Sequence, residues 1–384
     1  MNKVYFIIDG IKYIVSYENE ILEILKEQDE KLRQLTDIEK EEINALLNKD
    51  CGYVYYSERL NNIVVNNNML YKKDYLLVLL NWLESGIPEN YRENFYRNLS
   101  TLTAELNFDL FDSDFIKYDV DFGEQCDMGS YNTRKNILRV DPIGLRQVWK
   151  AAQSKENPHD FYWRHYSLTL LHELTHMASS RFDKNNNVSY SGFDKYPPTT
   201  LCDKNSGLTE GFTEVIAMAG IPGTVENASK YYIECCLINQ LMQIVGIDVL
   251  NISYFGNKGT VFLEEELCKL IDDKTKASKL FRFIEINYKI GNASSKQNML
   301  GNIQNSLLDY LDKKLEILAT NNQFEEIKRV IYIYENMLVT ESTLELNGRI
   351  PGNYDGIRDN LVKFREIKER HGQNYEDNFS TIKK

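Results

Sequence analysis

The chain has 384 residues, enough for roughly two or three domains, and its 42% apolar and 27% charged residues describe an ordinary globular protein. A net charge of −12 without a compact basic patch argues against non-specific binding to nucleic acid or to acidic lipid. Six cysteines with no C-x-x-C pairing read as reduced thiols, the apolar run at the N-terminus is too short for a signal peptide core, and no run is long enough to span a membrane. The expected location is therefore cytoplasmic, with export by a route lacking a cleaved signal as the alternative.

In chain order, Val4 to Ile8 and Ile11 to Tyr17 flank Asp9-Gly10, which predicts a β-hairpin. Apolar residues at helical spacing from Ile21 to Asn48 predict two helices, and Gly52 to Leu70 reads as strand and turn. Helices are expected over Asp74 to Ser85 and Glu89 to Leu106. Strands are expected over Ile116 to Gly123 and Gly129 to Val140, with a short helix from Ile143 to Gln153 leading into a long one. From Asp183 to Ser206 the composition turns to Asn, Ser, Gly, Asp and Pro, as in a long functional or mobile loop. Ala228 to Val245 and Thr260 to Ile271 are amphipathic helices joined through Asn251 to Gly256. Further helices follow over 280–290, 294–318, 324–339 and 355–370, and a loose polar tail starts at His371. The boundaries that follow are an N-terminal hairpin and helical region over 1–70, a catalytic domain over 71–290 and a C-terminal helical region over 291–384.

The chemistry concentrates in Leu171-His172-Glu173-Leu174-Thr175-His176. The run from Phe161 to Phe182 contains no Gly or Pro, and Pro158 and Asp160 suit the first turn of a helix there. On such a helix His172 and His176 lie one turn apart on one face and can reach a single metal ion. Glu173, rotated about a quarter turn away, can deprotonate a water on that metal without being a ligand. Leu170 and Leu171 would supply a dry wall. The competing reading is a pair of satisfied histidines on a buried helix. His165, two turns before His172, reads as a core histidine, with lining of the cleft as its alternative.

A second segment, Gly207-Leu208-Thr209-Glu210-Gly211-Phe212-Thr213-Glu214, starts another amphipathic helix. His-Glu-x-x-His followed by Leu-x-Glu-Gly-Phe-x-Glu resembles the gluzincin metallopeptidases, the group that includes thermolysin. Ser179 and Phe182 stand where the other large class with this motif has Gly and a third His, which excludes that class. The resemblance implies that His172, His176 and Glu210 bind one Zn2+ per chain, with Glu173 as general base and Glu214 orienting a ligand histidine from behind. It covers about a fifth of the chain, and Thr209 replaces the usual Asn before the ligand Glu. It also implies an α+β, predominantly helical fold: a zincin-like catalytic domain with a small mixed sheet, an active-site helix and a helical lower half. The run from Gly129 through Tyr131 and Ile137 to Val140 resembles the edge strand that holds extended substrate by backbone pairing, an ordinary sheet strand being the alternative. The stretch from Thr200 to Thr209 holds no tyrosine, so the family's oxyanion tyrosine does not carry over. Tyr196, from the long loop, is the candidate for that role, with Tyr231 and Tyr232 as alternatives.

The expected activity is zinc-dependent hydrolysis of peptide bonds in peptides or a restricted set of proteins, with no nucleic-acid or membrane partner. A host-directed or regulatory effector protease with one target and a catalytically silent zinc scaffold are the alternatives. No G-x-S-x-G and no G-x-x-x-x-G-K competes.

Overall fold

A computed structural model describes residues 2–8, 11–18, 21–28, 31–34, 54–57, 62–65, 72–106, 128–140, 154, 158–183, 185, 187–198, 204–221, 231–290, 293–338 and 355–382. The N-terminal hairpin forms as expected: β1 (Asn2–Ile8) pairs antiparallel with β2 (Ile11–Glu18), Ile8 opposite Ile11. The two helices expected after it are not found where the chain is described. Ile21–Gln28 and Lys31–Gln34 are instead strands β3 and β4, continuing the meander. Ile21, Leu22, Ile24 and Leu25 satisfy helical spacing, but the register sets Ile14 opposite Leu25, Val15 opposite Ile24 and Tyr17 opposite Leu22. Strand pairing with β2 overrides a weak local periodicity. The rest of that segment, to Asn48, lies outside the described residues.

β5 (Val54–Ser57) and β6 (Asn62–Val65) form the expected strand and turn as a separate hairpin. Helix α1 (Lys72–Gly86), a single 3-10 turn (Glu89–Tyr91) and α2 (Arg92–Thr101) follow. The second predicted helix stops early, because Thr103–Leu106 is strand β7, laid parallel to β1. Gly129 to Val140 is two strands rather than one: β8 (Gly129–Asn132) and β9 (Ile137–Val140), an antiparallel hairpin. Asn132 Oδ1 turns the chain by accepting from the backbone N–H groups of Arg134 and Lys135, both at 3.1 Å. Asn136 takes the left-handed conformation at φ 51° that Asn tolerates better than most residues. The resulting seven-stranded mixed sheet has the order β4-β3-β2-β1-β7-β9-β8. The strand expected over Ile116 to Gly123 and the helix expected over Ile143 to Gln153 lie outside the described residues.

Helix α3 (Pro158–Ser179) begins at the proline singled out for its first turn. Much of the segment expected to be loop is a small sheet of β10 (Arg181–Phe182), β11 (Val188–Ser191) and β12 (Asp194–Lys195). Then come α4 (Ser206–Gly220), α5 (Tyr232–Val245), α6 (Ile247–Phe255), α7 (Gly259–Leu270), α8 (Lys274–Lys289), α9 (Ala293–Thr320), α10 (Phe324–Met337) and α11 (Asp355–Ile382). Asn251 to Phe255, expected as a linker, is therefore helical, and the helix of the expected tail runs on to Ile382. No single helix among the described residues is long and apolar enough to cross a membrane.

The fold is predominantly helical, with the seven-stranded mixed sheet and two smaller sheets among the described residues, and it divides into two compact units. One comprises Met1–Ser189 with Ile216–Ala228, the other Tyr190–Val215 with Ser229–Lys384, so the chain passes between them within β11 and within α4. The first unit buries Leu83, Leu99, Leu138, Leu170, Leu171, Leu174 and Met177 from α1, α2, β9 and α3. The second is built on Leu237, Leu241, Leu307, Leu311 and Tyr334, with Phe193, Phe212 and Tyr254 in mutual ring contact at 5.1 to 6.0 Å.

Candidate metal centre

Helix α3 carries His172, Glu173 and His176. Leu170, Leu171 and Leu174 are fully buried, His172 is buried, and Glu173 and His176 are half-buried, so the motif sits where an apolar stripe meets solvent. The two Nε2 atoms lie 3.1 Å apart with the rings at 75°. Both imidazoles thus bring one nitrogen to the same place, close enough to share a hydrogen bond, as in the competing reading of satisfied histidines, or to bind one ion together.

The C-terminal turn of α3 is fastened to α2, which satisfies carbonyls a helix end leaves without partners. Asn98 Nδ2 donates to the Met177 carbonyl at 2.7 Å, and Asn94 Nδ2 donates to the Ser180 carbonyl at 2.8 Å. Ser180 Oγ donates to the carbonyl of His176 at 2.8 Å. Asn136 extends the network to the β8–β9 hairpin: its Nδ2 donates to the Asn98 carbonyl at 2.7 Å, and its Oδ1 accepts from the Tyr131 hydroxyl at 2.8 Å.

The hairpin also touches the motif directly. A Cβ added at Gly129 would lie 2.6 Å from Thr169 Cγ2 and 3.3 Å from Glu173 Cγ, so β8 runs close against α3 at the glutamate. Among the described residues β8 ends the sheet. Of the three residues expected along the edge strand, Gly129 and Tyr131 belong to β8, whereas Ile137 is on β9, one strand in. Tyr131 faces inward, and burial pushes its phenol well above the ordinary value.

Helix α4 brings the third residue. Its first turn is capped by carboxylates from outside the helix: Asp194 Oδ1 accepts from the Asn205 N–H at 2.5 Å, and Glu285 Oε2 accepts from the Gly207 N–H at 3.1 Å. Negative charge at a helix N-terminus complements the macrodipole. Gly207 and Gly211 flank Glu210. A Cβ at Gly207 would meet the Tyr288 Cβ at 2.9 Å, and one at Gly211 would meet the Glu234 backbone at 2.8 Å, so α8 and α5 close on α4 on either side of the glutamate. Thr209, at the departure from the family pattern, accepts the Phe193 N–H on Oγ1 at 3.2 Å and so ties α4 to the β11–β12 turn. Glu214 is buried one turn beyond Glu210. At the far end, a Cβ on Gly220 would lie 2.5 Å from Leu171 Cδ2 and 2.7 Å from the Trp82 ring, which locks that end onto α3 and α1.

Ligand atoms of His172, His176 and Glu210 all lie within 4.8 Å of one another. With bonds of about 2.0–2.1 Å, nitrogens 3.1 Å apart subtend roughly 100° at an ion, near the tetrahedral angle. Two imidazoles and a carboxylate that converge in this way fit a metal ion.

Tyr196, expected as an oxyanion donor, is half-buried before α4; its hydroxyl accepts from Lys204 Nζ at 3.4 Å, and the same Nζ lies 4.4 Å from its ring centroid. Tyr232 shares a hydrogen bond with Cys236, and the Tyr231 ring lies 6.4 Å from that of Tyr288. His165 is buried against Phe161 at 4.5 Å between ring centroids, as a core histidine would be.

Sequence reasoning missed Tyr288. Burial, with the charges of Glu210, Glu234 and Glu285, pushes its phenol well above the ordinary tyrosine value, so the hydroxyl stays protonated and able to donate a hydrogen bond. The glycines that bracket Glu210 were the available signal, because two small residues one turn apart mark where another helix crosses closely. The asparagine network had no such signal, since its partners are far apart in sequence.

Compared with protein-family models, with curated proteins and with solved structures, the chain matches none.

Proposed function

We propose that the protein is a zinc metallopeptidase of gluzincin type, with a zincin-like catalytic region, that hydrolyses peptides or a restricted set of proteins. The observation that carries this reading is the convergence of His172, His176 and Glu210 beside Glu173. A catalytically silent site has no use for a carboxylate next to the ligand set. His172 and His176 would hold the metal as neutral imidazoles through the two nitrogens that meet, Nε2, with the proton on Nδ1. Glu210 completes the set, and Glu214 orients a ligand imidazole from behind. The zinc, when bound, supplies Lewis-acid polarisation of water and of the scissile carbonyl.

Glu173 takes the proton of the attacking water and returns it to the departing amine. The leucine wall of α3 keeps bulk water away and so strengthens these charge interactions. β8 presents backbone N–H and C=O groups to an extended peptide alongside Glu173. Cysteine usage suits a reducing cytoplasm.

The test is metal content by mass spectrometry together with turnover of a mixed peptide library. Wild type should hold about one zinc per chain and Glu210→Ala far less. Glu173→Gln should keep the metal and lose about 10²- to 10⁴-fold in kcat. Zinc without turnover of any peptide, in a folded protein, would remove the general peptidase reading and leave a protease with one protein target or a catalytically silent zinc scaffold.

A further inference from the structure

In a chain of net charge −12, the thirteen residues Met128–Val140 carry Arg134, Lys135 and Arg139 and no acidic residue. All three cations are exposed. Arg134 and Lys135 sit at the tip of the β8–β9 hairpin, where the Asn132 side chain fixes the turn, and neither makes an ion pair among the described residues. Arg139 is the cross-strand partner of Ser130 and shares the solvent face of the hairpin with Ser130 and Asn132. The other face, with Gly129 and Leu138, turns toward α3 and the core.

A cationic tip at one end of β8 and Glu173 against the other give the strand a direction. Strand residues advance about 3.3 Å each, so the tip begins about 10 Å along β8 from Gly129. We propose that the hairpin selects extended peptides bearing acidic residues about three to five positions to one side of the bond held at Glu173. This deepens the peptidase reading and rests on it for the place of the scissile bond. Backbone pairing along β8 would give affinity blind to side chains, and the two cations of the tip, Arg134 and Lys135, would add the charge preference. Nucleic acid is the poorer occupant, since three cations on one hairpin neutralise few phosphates.

The experiment uses the full chain carrying Glu173→Gln, loaded with zinc, and fluorescent peptides of one core sequence flanked by Glu, Ser or Lys. Anisotropy at low salt should show Glu-flanked peptides binding roughly tenfold tighter than Ser-flanked ones and Lys-flanked ones weaker still, with the gap shrinking at high salt. Adding Arg134→Glu and Lys135→Glu, both at exposed positions, should reverse the order. Equal binding of the three peptides, no binding of any, or tighter binding of a single-stranded DNA oligonucleotide overturns the proposal. Wild-type cleavage of the same peptides is read separately. Charge-selective binding without cleavage leaves this inference standing and removes the hydrolase reading, whereas cleavage indifferent to the flanks removes the inference alone.

Discussion

At the scale of single residues, the candidate centre depends on side chains that are missing as much as on those present. Gly129 lets a strand lie against Glu173, and Gly207 and Gly211 let two helices close around Glu210. Gly211→Ala places a methyl group 2.8 Å from the Glu234 backbone, which cannot swing aside as a side-chain tip can. We expect a loss of about 1–3 kcal/mol of stability and weaker metal retention. Gly86→Ala, at the end of α1 where an added Cβ meets nothing within 4 Å, should leave metal retention unchanged and raise stability by up to about 1 kcal/mol. Denaturant midpoints and zinc content of the two variants check this. Equal behaviour would mean that the close approach of α5 to Glu210 carries no weight.

Among elements, α2 acts as a clamp. Asn94 and Asn98 hold the carbonyl end of α3, while Asn136 joins the same network from the hairpin. Asn98 is fully buried, so Asn98→Ala removes the amide that donates to the Met177 and Ser180 carbonyls and should cost about 1–3 kcal/mol, read by thermal or chemical unfolding. A cost near zero would show that the end of α3 holds without α2. Helix α3 was legible in the sequence because its signals are local: a proline start, an uninterrupted apolar stripe and two histidines one turn apart. The convergence of Glu210 with them matches an expectation drawn from resemblance. The asparagine clamp, the early end of α2 and strands β3 and β4 were not legible, because each depends on a partner remote in sequence. Ile21 to Gln28 carries apolar residues that suit either period, and pairing with β2 decided the outcome.

For the molecule as a whole, the second unit is fastened at its surface by charge. Asp309 on α9 is bonded to Lys276 on α8 and Lys363 on α11. Burial pushes its carboxyl upward, but the two ammonium groups together hold it below the ordinary aspartate value. A depressed folded value gives stability that is full above the unfolded aspartate value, about 3.9, and is lost as pH falls through the folded one. Asp309→Asn should therefore lower stability by about 1 kcal/mol at neutral pH and flatten the loss below about pH 4, measured by unfolding across pH. Unchanged acid sensitivity would shift the cause to other carboxylates. Helix α4 bears on how the molecule matures. Two glycines near its start each cost about 1 kcal/mol in helix propensity, so this turn has little reason to form alone and waits for α5 and α8 to dock. A nascent or nicked chain that already displays both histidines then lacks the third ligand, and in the proposed reading it stays inert. On that reading, acquisition of metal would be a checkpoint on completed folding, and the cell would be spared a half-made protease.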